Sequence, residues 1–88
     1  MLQRDVEVVN SHGIHARPAA EIVKVAGKFR ANITIARDGM EVNGKSIMGV
    51  MMLAAECGAI VTIKADGDDA AQALDELATL IASRFGEH

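Results

Sequence analysis

The chain has 88 residues, half of them hydrophobic, with 9 basic and 12 acidic side chains and a formal charge of −3. That balance argues against a nucleic-acid surface, which needs a basic stripe, and the only aromatics, Phe29 and Phe85, offer no stacking platform for single strands. A lone cysteine, Cys57, admits no internal disulfide or cysteine zinc cluster, and no apolar run is long enough to span a membrane.

A chain of this size implies one core and one site, with a single domain over 1–88. Its core must be built from Val, Ile, Leu, Ala and Met. The start, "MLQRDVEVV", has no long apolar run after a basic segment, so no secretory signal is read there. With the single thiol, this leads to the expectation of a cytoplasmic protein.

The first element is a strand over Leu2–Val9, where "DVEVV" alternates apolar and charged residues. "NSHG" is a loop. A helix follows from about Ala16 to Ala26, with Ile22, Val23, Ala26 and Phe29 on one face and Glu21, Lys24 and Lys28 elsewhere. Pro18 stands in its first turn, where a missing N–H costs nothing, and Gly27 marks its end. "NITIAR" and "MEVN" are strands joined at Asp38-Gly39, a strong hairpin signal. Ser46 reads as the N-cap of a helix, "IMGVMMLAAE", which Gly58 can end. "AIVTIKA" is a fourth strand. Asp69 and Gln72 resemble a capping box opening a last helix through about Arg84, with Ala70, Leu74, Leu77 and Ile81 as its buried stripe. The order β-α-β-β-α-β-α predicts an α+β fold, an antiparallel sheet with helices on one face. Strand order is not readable from the pattern.

The segment "GIHARPAAE", Gly13 to Glu21, carries the chemistry. It places His15 at the edge of the first helix, where backbone N–H groups gather and the dipole favours an anion. Arg17 adds a planar guanidinium suited to phosphate oxygens. A neutral imidazole is a competent nucleophile near neutral pH, and phosphoryl transfer asks mainly for positioning and charge stabilisation. Local chemistry alone favours an ordinary polar helix end, since His, Arg and Pro are common near helix starts.

The second informative segment follows Ser46. Ile47, Met48, Val50, Met51, Met52 and Leu53 leave almost no polar face. A small chain cannot bury such a helix on all sides, so Ile47, Met48 and Met51 are expected to form an exposed apolar patch, with Val50 and Leu53 in the core. Methionine suits surfaces that meet several differently shaped partners. Lys24 and Lys45 add charge for steering toward acidic partners.

"GIHARPAAEIV" and "NGKSIMGVMMLAA" together resemble the active-site and regulatory-serine segments of the HPr family, the histidine-containing phosphocarriers of the bacterial phosphoenolpyruvate-dependent sugar phosphotransferase system. The resemblance implies an open-faced β-sandwich, a four-stranded antiparallel sheet covered by three helices. It implies that His15 takes a phosphoryl group on Nδ1 from phosphorylated enzyme I and passes it to the IIA domain of a sugar permease. Arg17 would neutralise the travelling group, the amides of Ala16 and Arg17 would hold its oxygens, and Pro18 would fix how the chain enters the helix. Ala20, Lys24, Ile47, Met48 and Met51 would form the docking surface. Ser46 would be the target of HPr kinase/phosphorylase, with new contacts to regulatory proteins as the result. The implied protein is a monomeric relay, not a turnover enzyme, and needs no cofactor or metal.

His12 departs from the family pattern, in which a small hydroxyl residue is common at this place. It reads as an exposed loop histidine, or as a modulator of His15. Cys57 reads as a packing residue or a surface thiol. Three other readings compete: a nitrogen-related regulatory paralogue of the family, a binding module switched at Ser46 alone, and a metal site on His12 and His15. The "KSIMG" segment disfavours the first and the intact "HARP" segment the second. The third lacks cysteines and a carboxylate set.

Overall fold

The computed structural model describes residues 1–86, so positions 87 and 88 of the expected span lie outside the described residues. The elements are β1 (Leu2–Glu7), α1 (Ala16–Ala26), β2 (Asn32–Arg37), β3 (Met40–Asn43), α2 (Ile47–Met52), β4 (Ile60–Asp66) and α3 (Ala70–Ala82), followed by a 3-10 turn at Arg84–Gly86.

Alternation builds the sheet. Ile33 and Ile35 of β2 and Val61, Ile63 and Ala65 of β4 are buried, while Thr34, Thr62 and Lys64 between them are half-buried on the opposite face. The strand order is β1-β4-β2-β3, antiparallel throughout. Register sets Ile35 opposite Ile63 and Ile33 opposite Ala65, which makes one apolar surface across the two central strands. Ile22 and Ala26 of α1, Val50 of α2 and Leu74, Leu77 and Ile81 of α3 join those side chains in one core. Each fully buried Ile or Leu contributes about 1.5–3 kcal/mol. The architecture is α+β, a four-stranded antiparallel sheet with three helices, as the pattern predicts.

The β2–β3 turn has Asp38 at φ 50° and Gly39 at φ 85°, the two left-handed residues of a tight hairpin. Four expectations need correction. β1 ends at Glu7, not Val9, although Val8 still exchanges hydrogen bonds with the approach to β4: its N–H donates to the Ala59 carbonyl at 2.8 Å, and its own carbonyl accepts from Gly58 at 2.7 Å. α2 stops at Met52, well short of Glu56 and Gly58, because Ala54 turns to φ 48° while Arg37 binds the carbonyls of Leu53 and Ala54. Asp69 stands at the N-cap of α3 but makes no capping box; its carboxylate accepts the N–H groups of Arg30 and Ala31 at 2.9 Å each. α3 ends at Ala82, not Arg84, and Arg84 and Phe85 at φ 61° and 55° turn the chain so that the Phe85 ring re-enters the core.

Candidate functional site

The loop before α1 is set by main-chain contacts. Asn10 is fully buried; its side-chain amide donates to the Gly13 carbonyl at 2.7 Å, and its own carbonyl accepts from Gly13 N–H at 3.1 Å. Gly13 has φ 67°, and a Cβ there would lie 2.5 Å from the Ala55 carbonyl oxygen. No other residue type fits that approach without displacing backbone. Ile14 is buried and donates its N–H to the same Ala55 oxygen at 2.8 Å. The segment after α2 thus fixes the residue that precedes His15.

His15 is exposed and extended, φ −92° and ψ −166°, at the N-cap of α1. Its carbonyl accepts the Ala19 N–H at 2.9 Å, so its backbone starts the helix while its imidazole makes no capping bond. The His12 ring stands edge-on to it, with centroids 6.0 Å apart. Both histidines lie in exposed chain.

Ala16 and Arg17 follow in the first turn, whose amides point out of the helix end where an anion is favoured. Arg17 is exposed, and its Nη2 donates to the Phe85 carbonyl at 2.8 Å, which ties the guanidinium to the C-terminal turn. Pro18 is buried and presets the helical backbone. Ala20 and Lys24 are exposed on α1.

At the second segment Ser46 caps α2, its Oγ accepting the Gly49 N–H at 3.1 Å. Val50 and Leu53 enter the core, and Ile47, Met48 and Met51 are exposed, as expected. Met52, at 64% exposure, joins them beside Met48 at 77%. The all-round apolar pattern of the helix could have placed it there. α1 and α2 pack against each other, so the patch and His15 belong to neighbouring elements. Lys45 is half-buried, its Nζ donating to the Phe29 carbonyl at 2.8 Å, which gives it a structural bond beside its charge. Cys57 is a surface thiol.

Sequence reasoning missed Phe85 as the anchor of Arg17, and Arg37, which holds the segment behind His15. Neither leaves a local signal, since both act across the chain. Two carboxylates are held below their usual range. Glu56 is stabilised first by its own backbone N–H and then by Arg37; Asp69 is stabilised by the N–H of Arg30 first and by that of Ala31 as well. Among the described residues no group of three or more His, Cys, Asp or Glu could hold a metal ion, and no helix is long and apolar enough to cross a membrane.

Comparison with known proteins puts the chain in the class of small α+β phosphoryl carriers. Residues 2–83 match the family model described as "PTS HPr component phosphorylation site". The chain is 51% identical to the phosphocarrier protein HPr of Cupriavidus necator, over 99% of this chain and 98% of that one. It is 44% identical to the HPr-like protein Crh of Bacillus subtilis, over 92% and 95% of the two chains. The crystal structure of HPr-C-His from Thermoanaerobacter tengcongensis superposes with a TM-score of 0.96 at 44% identity, covering 100% of this chain and 99% of that one. The chain belongs to the HPr family and is a phosphocarrier of the phosphotransferase system, a phosphoryl relay protein and not an enzyme.

Proposed function

We propose that His15 is the residue that carries the phosphoryl group. Its Nδ1 attacks the phosphorus presented by phosphorylated enzyme I; a P–N bond forms as the bond from phosphorus to enzyme I breaks. The group then leaves to the IIA domain of a sugar permease. Arg17, tied to the Phe85 carbonyl, brings the positive charge and planar fork of its guanidinium to the phosphoryl oxygens. The amides of Ala16 and Arg17 receive those oxygens at the helix end. Ile47, Met48 and Met51, with Ala20 and Lys24, meet the partner. The observation that carries this reading is the exposed imidazole, which takes no part in capping although it stands at the N-cap.

A second role rests on Ser46. Phosphorylation by HPr kinase/phosphorylase would add about two negative charges where a helix N-terminus tolerates them. The fold would survive, and the change would fall beside the exposed Ile47 and Met48. The protein in this reading is one cytoplasmic, monomeric phosphocarrier domain over 1–88. The nitrogen-related paralogue would share His15 but work with a different enzyme I and IIA set.

The test is incubation with phosphoenolpyruvate and enzyme I, followed by intact mass, beside His15→Ala. One acid-labile phosphoryl group on the native chain and none on the variant supports the assignment. Uptake by His15→Ala, or no uptake from an enzyme I that loads another HPr, overturns it.

A further inference from the structure

The guanidinium of Arg37, at the end of β2, reaches four acceptors. Nη1 donates to the carbonyls of Leu53 at 3.1 Å and Ala54 at 2.7 Å, Nη2 to Glu56 Oε1 at 2.7 Å, and Nε stands 3.4 Å from Asp38 Oδ2. Its side chain is 20% exposed, so these bonds are partly shielded from water. The planar fork of an arginine can span such a set, whereas a lysine ammonium cannot.

What Arg37 grips is the segment that frames His15. Residues 53, 54 and 56 are bound on either side of Ala55, whose carbonyl receives the Ile14 N–H at 2.8 Å and lies against Gly13. Ala54 holds φ 48°, a conformation that alanine adopts only when its surroundings impose it. The grip and the strain occur at the same residue. Without Arg37 the segment can relax, and the Ala55 oxygen moves with it. Ile14, and then the His15 backbone, lose their reference point.

We propose that Arg37 is a positioning residue for phosphoryl transfer, acting through Ala55 and Ile14 to hold His15 in its extended N-cap geometry. This rests on the reading that His15 is the acceptor. Arg37 does not touch the phosphoryl group in this scheme; misplacement of a nucleophile by a fraction of an ångström slows transfer without loss of the acceptor. The effect should therefore fall on kcat of the phosphotransfer reaction more than on KM.

The experiment compares the native chain with Arg37→Gln, Arg37→Lys, Glu56→Gln and His15→Ala, using enzyme I and phosphoenolpyruvate, with amide hydrogen exchange on the unphosphorylated forms. Loading of the native chain and none of His15→Ala secures the underlying reading first; failure there would remove the acceptor and this proposal together. Given that control, Arg37→Gln is expected to lower kcat about three- to tenfold with KM changed less than about twofold, and to speed exchange at Ile14 while the amides of Ile33 and Ile63 keep their protection. Arg37→Lys, which keeps the charge but not the fork, should lie between, and Glu56→Gln, which keeps both carbonyl bonds, nearer the native chain. If Arg37→Gln proves unfolded, the folded Arg37→Lys decides by the same two readouts. Native kcat with native exchange at Ile14, or a loss confined to KM, would overturn the proposal.

Discussion

Arg17 Nη2 donates to the main-chain carbonyl of Phe85 at 2.8 Å, joining residues 68 positions apart beside the N-terminus of α1. The bond exists because the turn at Arg84–Gly86 sends the Phe85 ring into the core while its carbonyl faces outward to α1. Anchorage of the guanidinium and packing of the last buried side chain are therefore one feature. Phe85→Ala is expected to cost about 3 kcal/mol or more in urea unfolding and to slow phosphoryl uptake as well. Arg17→Lys should leave the unfolding midpoint nearly unchanged, since the residue is exposed, yet slow uptake by about tenfold or more.

On the proposed reading, the methionine patch serves docking and contributes little to stability. Met48 is the most exposed residue of α2, so Met48→Glu should change stability by less than about 0.5 kcal/mol. The same change puts a charge into an apolar contact and should raise KM for enzyme I by about tenfold, with kcat little altered. Val50→Ala, two residues on and on the buried face of the same helix, should lower stability by about 1–3 kcal/mol. Steady-state phosphotransfer and urea titrations of the two variants give this contrast directly.

Ser46 serves α2 through its oxygen. Ser46→Ala should cost about 1 kcal/mol, a fall in Tm of about 4–8 °C for a chain of this size. Ser46→Asp keeps an acceptor for the Gly49 N–H and favours the helix end, so most of that loss should be absent. Its effect should instead appear as slower phosphotransfer from enzyme I. Calorimetry and single-turnover loading test both halves.

Asp69 predicts the acid limb of stability. Its carboxylate accepts the amides of Arg30 and Ala31, which hold it below the usual carboxylate range in the folded chain. A depressed folded value means that the stabilisation is complete above the unfolded carboxylate value and is lost as pH falls through the folded one. Asp69→Asn should lower stability at neutral pH and flatten the acid side of a urea-midpoint profile. An unchanged slope in that profile would count against the assignment.

Local signals carried most of the fold into the sequence. The bounds of α1, the hairpin at Asp38-Gly39 and the Ser46 cap each depend on neighbours within four residues, and each was legible. The early end of α2 was not, because the competing interaction at Leu53 and Ala54 comes from Arg37 on another strand. The position of Asp69 at the start of α3 is legible, but the partners of its side chain, Arg30 and Ala31, lie far away in sequence and the expected capping box does not form. At the site, His15 and Arg17 stood out as chemical types. What orients them, the Phe85 carbonyl and the Ala55 oxygen facing Gly13, is backbone, and backbone atoms have no letter in a sequence.

The pairing of β1 with β4 has a consequence for synthesis. Leu2 lies opposite Ala65 and Glu7 opposite Ile60, so the first strand has no partner until the fourth has been made. The bonds from Val8 to Gly58 and Ala59, and from Ile14 to Ala55, wait for the same late segment. Contacts this distant along a chain slow folding. On the ribosome, the loop before α1 therefore takes its final shape only after most of the polypeptide has emerged.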